Sequence, residues 1–483
     1  MADFETDYLI IGAGAVGMAF ADTLLAEDPD CHITMVDKHA KPGGHWNDAY
    51  SFVALHQPSA FYGVNSRELG EDRIDDHGPN SGLYPLASGT EVSAYFEQVM
   101  NRHFLPSGRV RYFPLSEYKG GAEDGGHTFA SVFSGDETQV KVRRKLVDAT
   151  NYKTSVPATH KRKFSVADNV RITIPGKLPD LWMEGGDIPT TFVILGAGKT
   201  AMDTGVWLLE AGVHPDKIIW VRPRDSWLIN RRYTQPGSDF FEDVVTSQIA
   251  QLDAARDAED GHAMFAALEV DGHMLRIDPE TKPEMFHYAT ISEGEIALLR
   301  QITNVVRQGR VQSIEPGKML FAGGETAVPG GALYIDCTAT AVDFHAYNAL
   351  KPQFDGDTII LQALHVPLVT FSAALTAFLE VNFDDDATRN ALGIPGPLTD
   401  TPNTYPVALL TNLMNRMAWA QNDKIRGWLA TARLDPSGPT VARLVQEKSP
   451  KLAIMGKFQK AAMEAFPSLQ RLAAAGKIEH DAA

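Results

Sequence analysis

Cysteine is almost missing: Cys31 and Cys337 are the only two in 483 residues. Two distant thiols build neither a disulfide framework nor a CxxC zinc site, and they fit a reducing cytoplasm. An excess of positive charge is missing too. Lys and Arg number 44 against 61 Asp and Glu, a formal charge of -17, which excludes nucleic acid and an anionic membrane surface as partners and reads as a solubility feature. No apolar run reaches spanning length, and the residues ahead of the first apolar strand are acidic rather than basic. No membrane segment and no signal peptide are therefore expected, and the location read from this is cytoplasmic. Hydrophobic residues make up 44% of the chain, enough to fill ordinary cores, and the length suits about three domains.

What is present begins at residues 8–17, YLIIGAGAVG. Tyr8, Leu9, Ile10 and Ile11 fit a buried parallel strand, and Gly12, Gly14 and Gly17 open a run with helical periodicity. In such a turn Gly12 permits the tight bend, Gly14 lets a pyrophosphate approach the backbone, and Gly17 lets the helix pack closely on the strand. A second strand, residues 32–36, runs into Asp37 and Lys38, and the Asp37 carboxylate suits both hydroxyls of an adenosine ribose. An anion at the helix N-terminus and a sugar at the acid define a dinucleotide site. KPGGHW follows at residues 41–46. Its paired glycines, the second being Gly44, suit a loop that runs beside a further prosthetic group, with His45 and Trp46 after it.

The pattern recurs at residues 192–203, FVILGAGKTAMD, where a strand precedes Gly196, Gly198, Lys199 and Thr200, and Ala201 takes the third glycine position. A phosphate-cradling Walker loop is excluded, because it needs glycine where Val193 stands. The next strand, residues 217–221, ends in Arg222, Pro223 and Arg224 rather than an acid. Guanidinium groups at that strand end pair with a 2'-phosphate, so NADPH is favoured over NADH.

Taken together, GxGxxG, the ribose acid and GGxW resemble the two-dinucleotide-binding-domain flavoproteins, the flavin-containing monooxygenases in particular. That resemblance implies FAD as the first nucleotide and an α/β fold. Two Rossmann-like dinucleotide-binding domains, one for FAD and one for NADPH, would stand in a glutathione-reductase-like architecture with a C-terminal helical extension. Disulfide reductases of the same architecture need a closely spaced redox cysteine pair, which Cys31 and Cys337 do not supply. Residues 51–59, SFVALHQPS, lie where the monooxygenases carry a segment similar to SLxTNxPK; His56 takes the asparagine position and Ser59 the lysine. A second departure is at residues 174–187, IPGKLPDLWMEGGD, which lacks the histidine of the FxGxxxHxxx(Y/F/W) fingerprint. VDATNY at 147–152 and LYIDCTAT at 333–340 resemble the strand ends by which this family crosses between its domains, with Asn151 in a glycine position and expected to tolerate positive φ.

The implied layout is an FAD domain at 1–152 with a return segment at 334–383, an NADPH domain at 153–333 with a helical insertion, and a helical extension at 384–483. Short strands are read at 110–113, 128–133 and 139–147, a linker at 151–190 and another after Asp384. GDTIILQ at 356–362 reads as a turn between short strands rather than a ribitol contact. Helices are read at 91–100, 405–421, 423–432 and 440–475. By position in the family, Trp227, Asn230, Arg231 and Gln235 are candidates for nicotinamide or substrate contact, and His45, Trp46, His56 and Gln57 for a pocket shielding the reactive flavin. His56 and Gln57 are the catalytic candidates. The activity implied is an NADPH-dependent FAD monooxygenase working with molecular oxygen, through a flavin C4a-(hydro)peroxide, on a small hydrophobic or aromatic substrate. A reductase passing electrons on without oxygenation, and a flavin-binding protein without turnover, stay open as alternatives.

Overall fold

In the computed structural model, which describes residues 2–71, 73–121, 125–183 and 188–476, the apolar run near the start forms β1 (Phe4–Ile11), with Tyr8, Leu9 and Ile10 buried. After it come α1 (Ala15–Glu27), β2 (Ile33–Val36), α2 (Gly89–Val99), β3 (Val110–Phe113), β4 (Ser116–Gly121), β5 (Gly126–Ser131) and β6 (Glu137–Asp148). β1 lies between β2 and β6, parallel to both; β3 extends the sheet beyond β2, and β4 and β5 fold back onto β6 as an antiparallel meander. α2 starts at Ser88, whose side chain and Glu91 form a reciprocal capping box.

A second unit follows: β7 (Ser165–Val166), β8 (Arg171–Thr173), α3 (Asp180–Met183), β9 (Phe192–Leu195), α4 (Lys199–Glu210), β10 (Ile218–Val221), β11 (Ser226–Asn230), α5 (Phe241–Asp257), α6 (Gly261–Val270), β12 (Met274–Leu275), β13 (Met285–Ile291), α7 (Glu293–Leu299), β14 (Val305–Val306), β15 (Val311–Glu315), β16 (Lys318–Phe321), β17 (Gly324–Ala327) and β18 (Leu333–Asp336). Its central sheet is all parallel in the order β14-β10-β9-β18-β8. The order β3-β2-β1-β6 of the first unit is thus repeated as β14-β10-β9-β18. Rossmann geometry appears twice in one chain.

The chain then returns through α8 (Phe344–Asn348), β19 (Phe354–Asp355) and β20 (Thr358–Ile360). β20 pairs in parallel with β6, and the β19–β20 turn holds Gly356 at φ +57, so a tight turn accounts for the GD pair. α9 (Val369–Asn382) packs against α1 with nearly all its side chains buried. The rest is α10 (Asp386–Leu392), α11 (Tyr405–Gln421), α12 (Asp423–Leu429), α13 (Gly438–Gln446) and α14 (Ile454–Ala475). This extension joins both cores. Trp419, Ile425 and Trp428 pack with α1 and α9, while Ala461, Ala465 and Leu469 of α14 pack with Leu252 and Phe265 of the second unit.

Several readings change. β4 was not expected, because its alternation is interrupted by Gly120 and Gly121. The linker after Asp384 contains α10, nucleated where the Asp385 carboxylate accepts the Thr388 amide. The segment 151–190 lends β7 and β8 to the second unit's sheets; two- and three-residue strands carry no readable period. Positive φ falls at Lys153 and not at Asn151. Residues 184–187, the end of the stretch compared with the monooxygenase fingerprint, lie outside the described residues.

The tightest approach in the first unit is at Gly17, where a β-carbon would lie 2.1 Å from the Gly12 carbonyl oxygen. Gly17→Ala is expected to destabilise the protein by about 3 kcal/mol, as overpacking against fixed backbone does. Gly456→Ala, in α14 with open space around it, is expected to gain up to about 1 kcal/mol. Melting temperatures that move alike for the two variants would show that the close approach is not limiting.

Candidate nucleotide sites and the cleft between them

Gly14 stands at the N-cap of α1 without a side-chain cap, which leaves the first-turn amides open to an anion. The GGHW loop lies against this turn: the Gly43 amide donates to the Ala13 carbonyl at 2.8 Å, and a β-carbon on Gly44 would sit 3.0 Å from the Gly14 Cα. Asp37, buried at the end of β2, accepts from the Ala13 amide at 2.6 Å and the His39 amide at 2.8 Å. Lys38 is exposed. These groups fit an adenosine diphosphate moiety, with bare backbone for the phosphates and a carboxylate for the ribose.

His39 was not singled out by the sequence. Its ring bridges Asp37, 2.7 Å from Nδ1, and Asp48, 3.2 Å from Nε2, and the bond to Asp37 raises its pKa against the opposing effect of burial. On the other side of the loop, the Trp46 indole N–H donates to the Tyr62 hydroxyl at 2.8 Å, and the His45 ring stacks on Trp46 at 5.4 Å. Burial, and then the charge of His39, push the His45 pKa down to about 4. His45 is therefore neutral near pH 7.

The two return strands repeat each other in detail. The Thr150 hydroxyl donates to Asp148 at 2.6 Å and the Thr338 hydroxyl to Asp336 at 2.6 Å. Each D-x-T corner packs on its unit's first glycine: a β-carbon on Gly12 would meet Thr150 at 3.3 Å, and one on Gly196 the Cys337 carbonyl at 2.7 Å. Gly12 and Gly196 have φ +102 and +120, so a side chain is disfavoured at both on two grounds.

In the second unit Gly198 caps α4 and is exposed, with no atom near its missing side chain. Lys199 pairs with Asp203 one turn on, and Asp203 also accepts from the Tyr50 hydroxyl at 2.7 Å. Thr200 lies in the same first turn, its carbonyl taken by the Thr204 hydroxyl at 2.7 Å. Tyr50, another residue the sequence did not flag, so ties the first unit to this helix. Phe52 continues the seam, stacked on Trp207 at 4.8 Å.

The arginines after β10 separate into two kinds. Arg222 is 4% exposed and paired with Asp225 at 2.5 Å, which Arg307 also contacts at 3.0 Å. Burial lowers the Arg222 pKa and Asp225 opposes it. Its guanidinium is committed inside the protein, which corrects the expectation that it meets a 2'-phosphate. Arg224 is exposed.

Between the units lies a cleft of about 260 Å³, lined by Phe52, Ala54, Pro79, Asn80 and Leu86 from the first and by Lys199, Asp203, Val206, Trp207 and Glu295 from the second. Arg231, wholly buried, reaches Glu295 at 2.7 Å and also bonds Asn80. Burial alone would raise the Glu295 carboxyl, but Lys199, Arg231 and the Ser292 amide outweigh it and hold the pKa low. His56 is kept neutral by burial and by the same two cations, and its carbonyl accepts the Thr290 hydroxyl. The Gln57 amide donates to the Phe61 carbonyl at 3.0 Å.

Neither His56 and Gln57 nor Trp227, Asn230 and Gln235 line this cleft. Trp227 is packed against Phe265 in the second unit's core, the Asn230 amide donates to Gly272 and Glu293, and Gln235 links the Arg231 carbonyl to the Tyr84 amide. The segment read as lying over a nicotinamide is instead β11 and the turn after it, a buried strand.

These features define a protein with two dinucleotide-binding Rossmann units in one chain. The NAD(P)-binding Rossmann-like domain family matches residues 10–65. A polycyclic ketone monooxygenase from the fungus Thermothelomyces thermophila aligns over 99% of this chain and 90% of its own, with a TM-score of 0.50 at 12% identity; a steroid monooxygenase bound to NADP aligns over 94% and 98% with a TM-score of 0.48 at 14% identity. At 12% identity the likeness to the first of these is one of fold alone. In sequence, uncharacterised proteins of Mycobacterium tuberculosis and Mycobacterium bovis are 42% identical over 468 residues, covering 97% of this chain and 84% of theirs. The chain belongs to the family of these mycobacterial proteins. Among the described residues no helix is long and apolar enough to cross a membrane.

Arg224→Ala is expected to raise the KM for NADPH about tenfold or more, as loss of a charge-assisted bond does, and to leave NADH unaffected. Arg222→Ala should instead cost about 3 kcal/mol of stability by leaving Asp225 underpaired. Equal KM effects on the two coenzymes would remove the phosphate role from Arg224. For His39, a pKa raised above the ordinary 6.5 means that the protonated ring contributes stability fully below pH 6.5, and that this is lost as pH rises through the native value. Melting curves from pH 6 to 8.5 should therefore show the advantage over His39→Asn shrinking with pH; parallel curves would contradict the Asp37–His39–Asp48 bridge.

Proposed function

We propose that the protein is an FAD- and NADPH-dependent monooxygenase acting on a small organic molecule with an apolar or aromatic body. The observation that carries the reading is the duplicated turn. Two units of one chain each set an open helix N-terminus against a D-x-T corner, and the second of them, through Lys199, borders a cleft that the first unit also lines.

When bound, NADPH supplies the hydride, and FAD supplies its acceptance and the activation of oxygen. The chain's part is to bind, orient and exclude water. Asp37 takes the ribose of FAD while the first-turn amides of α1 take its pyrophosphate. Lys199 and Thr200, at the head of α4, take the second pyrophosphate, and Arg224 the 2'-phosphate. Trp46, Tyr62 and neutral His45 form an apolar wall that keeps water out. His56, an uncharged imidazole near Lys199 and Arg231, can both donate and accept a hydrogen bond without drawing in counter-charge. Phe52 and Trp207 favour an apolar or aromatic substrate body. Electrons do not leave through a thiol pair: Cys31 and Cys337 are buried in separate clusters, and burial pushes their pKa values up to about 11 and about 12.

Mixing the NADPH-reduced holoprotein with oxygen tests the reading. An oxygen-dependent spectral transient between the reduced and oxidised flavin, decaying faster with substrate present, is expected. Direct return to the oxidised spectrum would make the protein a reductase or oxidase, and a flavin that NADPH does not bleach would leave a binding role alone.

A further inference from the structure

The residues after α12 send one side chain deep into the first unit. Arg433 donates to the carbonyls of Ala60 at 2.7 Å and Tyr62 at 2.8 Å, and to that of Val64. Burial lowers its pKa, and its guanidinium is turned to main-chain oxygens rather than to a carboxylate. The three carbonyls belong to alternate residues of one loop. That loop has little regular structure to hold it, apart from a short helical turn at Ser59–Phe61. Side chains fix it from every direction: the Val64 amide donates to the Tyr95 hydroxyl at 2.9 Å, and the Phe61 carbonyl accepts from Gln57 at 3.0 Å and from Thr370, in the first turn of α9, at 3.4 Å. What the loop delivers is Tyr62. Its hydroxyl accepts the Trp46 indole N–H at 2.8 Å, and Trp46 belongs to the GGHW loop whose Gly44 lies on Gly14.

We infer that Arg433, supplied by the C-terminal extension, is a positioning residue for the flavin pocket: it holds residues 60–64 so that Tyr62 fixes the Trp46 indole beside the first glycine turn. The inference rests on the reading that this turn binds FAD. Arg433 acts through Tyr62 and not by contact with cofactor or substrate, so its effect should disappear when the Tyr62 hydroxyl is removed.

The test uses the full chain and its Arg433→Gln, Arg433→Lys, Tyr62→Phe and Arg433→Gln/Tyr62→Phe variants. Three readouts are taken: FAD dissociation constant by flavin fluorescence, visible circular dichroism of bound flavin, and near-ultraviolet circular dichroism of the flavin-free protein. Arg433→Gln is expected to weaken FAD about tenfold and to alter the flavin dichroism. Tyr62→Phe should reproduce both changes, the double variant should add little to either, and Arg433→Lys, which keeps the charge, should fall between wild type and Arg433→Gln. A lowered melting temperature with unchanged FAD affinity and dichroism would overturn the proposal, as would additive effects in the double variant. If wild type binds no FAD, the flavin reading fails by itself. The near-ultraviolet signal of Trp46 still decides whether Arg433 positions the indole, since loss of Arg433 without any change in that signal would overturn the positioning role.

Discussion

Contact between backbones that leaves no room for a β-carbon is the constraint on which the rest of this structure depends. At Gly17 a methyl would press on the Gly12 carbonyl, and at Gly44 it would press on Gly14. With helix, strand and loop brought this close, the open amides of α1 lie at the carboxyl edge of the sheet, where Asp37 also ends its strand. The second unit uses the same plan with a looser fit, because the methyl of Ala201 is accommodated and buried at the third glycine position. In both units the D-x-T corner closes the remaining side of the turn. The open helix N-terminus at each turn is thereby framed by main chain, which a sequence can change elsewhere at little cost.

Charge is distributed by the rule that a buried ion needs a partner. Arg222 with Asp225 and Arg307, Arg231 with Glu295, and Lys145 with Glu380 and Asp386 are all committed inside the fold. Lys38 and Arg224, at the ends of the second strands of the two units, are exposed. Lys199 stands between two roles, paired with Asp203 one turn along its own helix and placed at the helix head where an anion would compete for it. Burial keeps the histidines at positions 45 and 56 neutral.

Where a local rule determines structure, the sequence could be read. The glycine spacing, the four-residue apolar strands before it and the helical periods of α11 and α12 each depend on near neighbours, and the folded chain keeps them. Pairing across long separations could not be read. Arg222 and Arg224 look alike at a strand end, and only the arrival of Asp225 and Arg307 distinguishes them. Trp227 and Asn230 look like a polar-aromatic binding segment until β12 and β13 are found on either side of β11. His39 carried a weak signal, two residues past the ribose acid. Tyr50 carried none, since its partner Asp203 lies in the other unit.

The C-terminal extension answers a mechanical question that two Rossmann units pose by themselves. Each unit has its own core, and they meet along a seam that includes Tyr50 with Asp203, Phe52 with Trp207, Asn80 with Arg231 and Tyr84 with Gln235. α11 and α12 add Trp419 and Trp428 to the core of the first unit, and α14 lays its buried alanines and leucines on α5 of the second. A helical bridge with one end in each core adds to the seam's resistance to relative rotation, because rotation would have to open two well-packed apolar surfaces together. The width of the cleft therefore depends on helices outside the nucleotide folds as well as on the residues that line it.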